Sequence, residues 1–103
     1  MPFKVEFIPE AAKDFAKLDG AVKKEAAKKI DALAENPFLG KPLGSRQGID
    51  LTGFYKLYIA RKNYRIVYRL VGGAIEVIEI IGIGKRDKEE IYRIVAARIK
   101  GKS

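Results

Sequence analysis

Two runs of strand-forming residues flank one glycine pair: YRIVYRL, Tyr64 to Leu70, and AIEVIEIIGI, Ala74 to Ile83, on either side of Gly72-Gly73. The first is rich in β-branched and aromatic residues and the second in isoleucine, so both read as strands. Gly-Gly is a strong hairpin dipeptide because it tolerates positive φ, and the two runs are therefore expected to pair antiparallel. FYKLYIA, Phe54 to Ala60, precedes them through a turn at Ala60 to Asn63 and completes a three-stranded meander.

The rest of the chain arranges itself around that meander. FKVEFI, Phe3 to Ile8, alternates as a short first strand. Pro9 suits a helix start, and Ala12, Phe15 and Leu18 recur at helical spacing until Asp19-Gly20 breaks the run. Val22, Ala26, Ile30 and Leu33 mark a second helix, ended by Asn36-Pro37, whose outer face carries Lys23, Lys24, Lys28 and Lys29. Pro37 to Gly53 has no period and reads as an ordered surface connection. Asp87, with Glu90 three residues on, resembles a capping box opening a last helix that ends near Gly101. The expected class is α+β, in the order β-α-α-β-β-β-α. The first two helices are expected on one face of a small, mainly antiparallel sheet, with much of the other face open. A chain of 103 residues fits a single domain over residues 1–103.

Composition then limits the chemistry. The chain has neither cysteine nor histidine, so disulfides, thiolate metal sites, histidine triads and HExxH zinc sites are excluded. Any acid–base work falls to Lys, Arg, Tyr, Asp or Glu. A net charge of +8 favours a polyanionic partner. The N-terminus has no apolar stretch of signal-peptide length, and AIEVIEIIGIG is broken by Glu76 and Glu79 and is too short to span a bilayer. A cytoplasmic protein without membrane association is expected.

Period-two geometry assigns faces to the meander. Tyr55, Leu57 and Ile59 fall on one side with Ile66, Tyr68 and Leu70; Lys56, Tyr58, Arg65, Val67 and Arg69 fall on the other. Arg86 follows the third strand and could join the cations. Cations on a solvent-facing strand commonly serve solubility alone, and a tyrosine such as Tyr92 commonly covers a core edge. A two-residue turn at Gly72-Gly73 would set Arg69 opposite Glu76 as an ion pair. It would also send Glu79 to the Ile66 side, unless Glu79 lies at a sheet margin or a bulge shifts the register.

The stretch from FYKLYI through YRIVYRL to IGIGKRDKEEIY resembles the RelE/ParE toxin superfamily, and in particular its RelE-like mRNA interferases. The likeness runs over nearly the whole chain. It implies a toxin of a type II toxin-antitoxin system that cleaves mRNA in the ribosomal A site, without metal or cofactor, by attack of the RNA 2′-hydroxyl on the adjacent phosphate. It also implies a cognate antitoxin as partner, together with ribosome and mRNA, and contact with operator DNA only through the antitoxin complex. The family's catalytic pattern falls on Lys56, Arg65, Arg86 and Tyr92, with Tyr58, Arg69 and Lys85 as candidate RNA contacts. Tyr58 departs from the pattern, which has a second lysine there; a lysine at 58 is expected to match or exceed the native rate. ParE-like members share the fold but inhibit DNA gyrase, and a degenerate relative would bind only its antitoxin.

Overall fold

A computed structural model describes residues 3–46, 48–61, 63–72, 77–85 and 90–101. In chain order the elements are β1 (Lys4–Phe7), α1 (Pro9–Lys17), α2 (Gly20–Glu35), β2 (Lys41–Pro42), β3 (Ser45–Arg46), β4 (Ile49–Asp50), β5 (Phe54–Ile59), β6 (Tyr64–Val71), β7 (Val77–Lys85) and α3 (Glu90–Gly101). The expected α+β class and the helix break at Asp19 hold. The stretch from Pro37 to Gly53, read as a connection without strands, contains β2, β3 and β4; at two residues each, they are too short to show a period. The start of the last helix at Asp87 lies outside the described residues.

Five strands form one sheet in the order β1-β7-β6-β5-β2. β1 joins β7 in parallel, while the β5-β6 and β6-β7 pairs are antiparallel, which makes the sheet mixed. α1 and α2 cover one face. Their apolar positions Ala11, Ala26, Ile30 and Leu33 are buried in a core shared with Ile59, Ile66, Tyr68, Ile78 and Ile80.

The β6-β7 register differs from the two-residue-turn expectation. Val71 pairs with Val77 and Arg69 with Glu79, not with Glu76. The cause is the length of the connection: Val71 pairs with Val77, so five residues, 72–76, separate the paired ends where two were expected. The longer connection thereby sets Ile78 and Ile80 on the core face and Glu79 on the face of Arg69. Farther from the turn there is also a bulge: Val67 faces Gly82, but Tyr68 faces Ile80, so Ile81 is an extra residue on β7. A three-residue shift at the turn reverses the faces of the adjoining part of β7, and the one-residue bulge reverses them again farther on, which puts Gly82 and Gly84 on the Arg65 face. Arg69 Nε and Nη2 lie 2.8 and 2.7 Å from Glu79 Oε1.

Tyr68 ties the 37–44 connection to the sheet. Its buried hydroxyl donates to the Pro37 carbonyl at 2.8 Å and accepts from the Gly40 N–H at 2.9 Å. Gly40 has to be glycine, because a Cβ there would come within 2.6 Å of both the Lys56 carbonyl oxygen and the Tyr68 hydroxyl. Burial pushes the Tyr68 hydroxyl above the ordinary tyrosine pKa, outweighing the lowering effect of the Gly40 N–H.

Tyr68→Phe leaves the Gly40 donor and the Pro37 acceptor without this partner and should cost about 1–3 kcal/mol in urea unfolding. The raised pKa adds a pH signature. The unfolded phenol ionises near pH 10 while the folded one still holds its proton, so the tyrosine's contribution is complete below about pH 10 and is lost as pH rises further. Unfolding curves between neutral and strongly alkaline pH should therefore decline less steeply in Tyr68→Phe than in the native chain.

Candidate functional site

The sheet face opposite α1 and α2 carries the residues singled out by alternation. Tyr58 pairs with Arg65 and Lys56 with Val67, so these side chains share one pleat face. The third strand contributes glycines there: Val67 faces Gly82 and Arg65 faces Gly84. Lacking side chains, Gly82 and Gly84 leave a shallow trough, and α3 lies in it. A Cβ on Gly82 would sit 3.0 Å from Arg98 Nη1, 3.1 Å from Ile91 Cδ1 and 3.2 Å from Val95 Cγ2. One on Gly84 would sit 3.0 Å from Ile91 Cδ1. These distances are tighter than ordinary packing, so the IGIG sequence fixes how closely the helix approaches.

A second contact holds the helix from its far end. β1 stops at Phe7 while β7 continues, leaving the polar backbone of β7 without a neighbouring strand. Asp14 on α1 accepts the Ile83 N–H at 3.1 Å, and Arg98 on α3 donates to the Ile81 carbonyl at 2.9 Å. Arg98 and Asp14 also meet as a fork, with Nη1–Oδ2 at 2.6 Å and Nη2–Oδ1 at 3.1 Å. One half-buried ion pair therefore completes the strand edge and joins α1 to α3. Its residues escaped the sequence reading because Asp14 and Arg98 lie 84 positions apart; their only sequence signal is a charge on the edge of each helix's apolar stripe.

The open face expected from sequence is thus closed over the cluster. Arg65 is 4% exposed, Lys56 8% and Tyr92 1%. Arg65 Nη1 donates to the Tyr92 hydroxyl at 2.5 Å, and its guanidinium carbon lies 5.1 Å from the centre of the Tyr92 ring. The same carbon lies 5.3 Å from the Tyr58 ring, and Lys56 Nζ lies 5.2 Å from that ring. Two cations and two tyrosines therefore form one contiguous group. Tyr92 covers a core edge, as its helical position alone suggested, and it also contacts the strand arginine.

Other expected site residues lie elsewhere. Arg69 is neutralised by Glu79 and packs 5.6 Å from the Phe54 ring. It shares the pleat face but is committed to a structural ion pair. Lys85 pairs with Tyr64, one position off the Arg65–Gly84 pair, and so belongs to the opposite pleat face. Arg86 lies outside the described residues. Among the described residues no group of three or more acidic side chains converges in a way that could hold a metal ion. No helix among them is long and apolar enough to cross a membrane.

A mixed sheet flanked by two helices on one face, with a third helix over a cationic face, defines the RelE-like toxin fold. The structure overlays on Escherichia coli toxin RelE in the free state, carrying two arginine-to-alanine substitutions, with a TM-score of 0.74 and 27% identity; the match covers 96% of this chain and 99% of that one. The same substituted toxin in complex with a peptide of antitoxin RelB matches at a TM-score of 0.68 and 26% identity, over 90% of this chain and 93% of that one. The chain belongs to the family described as ParE toxin of type II toxin-antitoxin system, parDE, whose model matches residues 5–90. A RelE-like toxin protein of Escherichia coli is 28% identical, over 97% of this chain and 100% of its own length. The mRNA interferase toxin RelE of Escherichia coli strain K12 is 26% identical, over 96% of this chain and 99% of its own length.

The glycine seat is directly testable. Gly82→Val places branched carbons against Val95 and the Arg98 fork and should cost about 1–3 kcal/mol through overpacking. Hydrogen exchange should then accelerate first in α3, while β5 and β6 remain protected. Uniform acceleration across the sheet would show that the glycine serves the strand, not the helix seat.

Proposed function

We propose that this chain is a toxin that cleaves mRNA on the ribosome. The observation that carries the reading is the Arg65–Tyr92 hydrogen bond beside Lys56, on a chain of this toxin family. In the reaction the RNA 2′-oxygen attacks phosphorus, the bond to the 5′-oxygen breaks, and a cyclic phosphate and a free 5′-hydroxyl result. Negative charge builds on the phosphoryl oxygens, so fixed cations favour the transition state over the ground state. Arg65 presents a planar fork to two of those oxygens, and Lys56 supplies a compact charge beside it. Tyr92, as its phenolate, takes the 2′-hydroxyl proton, the Lys56 ammonium gives a proton to the departing 5′-oxygen, and Arg86 assists from the segment after β7. The reading requires neither metal nor cofactor.

Because Arg65 and Tyr92 are buried, α3 has to shift before a phosphate can enter. We assign the partners on the same basis. A cognate antitoxin segment, acidic and amphipathic, covers this face or displaces α3, and operator DNA is reached only through that complex. The toxin acts in the cytoplasm as a single domain, where ribosomes position the substrate.

Single-turnover cleavage on programmed ribosomes tests the reading. Tyr92→Phe keeps the ring and should slow cutting about 10²–10³-fold, as loss of one preorganised catalytic group does, while ribosome binding is retained. Arg86→Ala should lose a similar factor with little change in melting temperature. Removing trace transition metals at fixed free magnesium should leave the rate unchanged. Folded, ribosome-bound variants that cut at the native rate would refute the assignment. The family description favours one alternative, gyrase inhibition in the ParE manner; damaged DNA with intact mRNA after brief expression would select it.

A further inference from the structure

Tyr58 replaces the second lysine of the RelE-like pattern, and counting charges makes it a loss. Its surroundings suggest a different role. Lys56 stands two residues earlier on the same strand and Arg65 directly across on β6, so the pleat brings both to Tyr58. The ring centre lies 5.2 Å from the Lys56 ammonium and 5.3 Å from the Arg65 guanidinium, and both cations are buried. Desolvation strengthens such contacts, because the negative face of the ring then competes with little water. A lysine in the same place would bring a third positive charge against two others in a poorly solvated site, where like charges repel strongly.

Resting on the interferase reading above, we propose that Tyr58 is a positioning residue whose ring holds Lys56 and Arg65 at the spacing a phosphodiester needs. Tyr92 travels with α3 when the helix shifts. Tyr58 belongs to β5 and remains with the two cations, so it is the ring that supports them once substrate enters. The hydroxyl is dispensable in this role and the aromatic face is not. Phenylalanine should therefore substitute for Tyr58, whereas neither a shape-filling aliphatic residue nor a lysine should.

The experiment compares Tyr58→Phe, Tyr58→Leu and Tyr58→Lys with the native chain. It measures melting temperature, ribosome affinity and the single-turnover mRNA cleavage rate at saturating ribosomes. A second measurement, NMR ring-current shifts of the Lys56 ε-methylene protons, needs no cleavage; Arg65 is not used because it also faces the Tyr92 ring. Tyr58→Phe should keep the shifts and cut within about twofold of native. Tyr58→Leu and Tyr58→Lys should lose the shifts and slow by about tenfold or more, the rate equivalent of a desolvated cation–π contact of about 1.4 kcal/mol. Ribosome affinity should be unchanged in all three. A Tyr58→Lys protein as fast as native would overturn the proposal and show that cation number governs the rate. Weakened affinity at an unchanged saturated rate in Tyr58→Leu would overturn it in favour of stacking on RNA. Should Tyr58→Leu not fold, the contrast between Phe and Lys decides alone. Should the native chain not cut ribosome-bound mRNA, the interferase reading falls; the methylene shifts still decide whether the Tyr58 ring holds Lys56.

Discussion

The site depends on how closely α3 approaches β7, and two missing side chains set that distance. Gly82 and Gly84 occupy successive positions on one pleat face, and Ile91 and Val95 fill the space that their Cβ atoms would take. Helices rarely seat so close to a strand, because ordinary side chains keep the backbones apart. Here the close seat buries Tyr92 and puts its hydroxyl on Arg65. The Asp14–Arg98 pair fixes the same helix further along while completing the exposed edge of β7. Hydrogen bonds to charged groups contribute about 1.5–3 kcal/mol each, enough to make this ion pair a main determinant of the helix position.

Burying two cations together has an energetic cost that shapes the rest of the cluster. Desolvation and mutual repulsion both act against Lys56 and Arg65. Aromatic faces and a phenolic oxygen offset part of that cost without neutralising the charge, whereas Arg69 is neutralised outright by Glu79 on the same face. The two arrangements divide the labour. Arg69 stabilises the sheet beyond the bulge, and the Lys56–Tyr58–Arg65–Tyr92 group retains net positive charge. In the proposed reaction that retained charge attracts the phosphate, and α3 shields it until then.

Period-two alternation was enough to gather Lys56, Tyr58 and Arg65 on one face, because strand geometry leaves no other choice once Phe54 to Ile59 and Tyr64 to Leu70 pair. Alternation failed beyond Val67. The connection from β6 to β7 takes five residues, not the two that Gly72-Gly73 suggested, and this moved Arg69 from the expected Glu76 to Glu79; the bulge at Ile81 leaves no mark in a segment so rich in isoleucine. Burial of the cluster was also hidden, since the IGIG glycines read equally well as strand breakers and as a helix seat. The Asp14–Arg98 contact depends on β1 being shorter than β7, a property of the assembled sheet that no local window contains.

The central claim is that α3, seated on its glycines, closes the cationic site and has to shift for RNA to enter. A cysteine at 84 can test it, because a Cβ on Gly84 would lie 3.5 Å from the Ile91 Cβ. That separation falls at the lower end of the disulfide range, about 3.5–4.5 Å. The chain has no other cysteine, so Gly84→Cys combined with Ile91→Cys gives one defined cross-link. Single-turnover mRNA cleavage on ribosomes should be abolished in the oxidised double variant and recovered on reduction, with a raised melting temperature confirming the closed fold. Equal cleavage by the oxidised and reduced forms would contradict the account, because RNA would then reach the chemistry with α3 held in place.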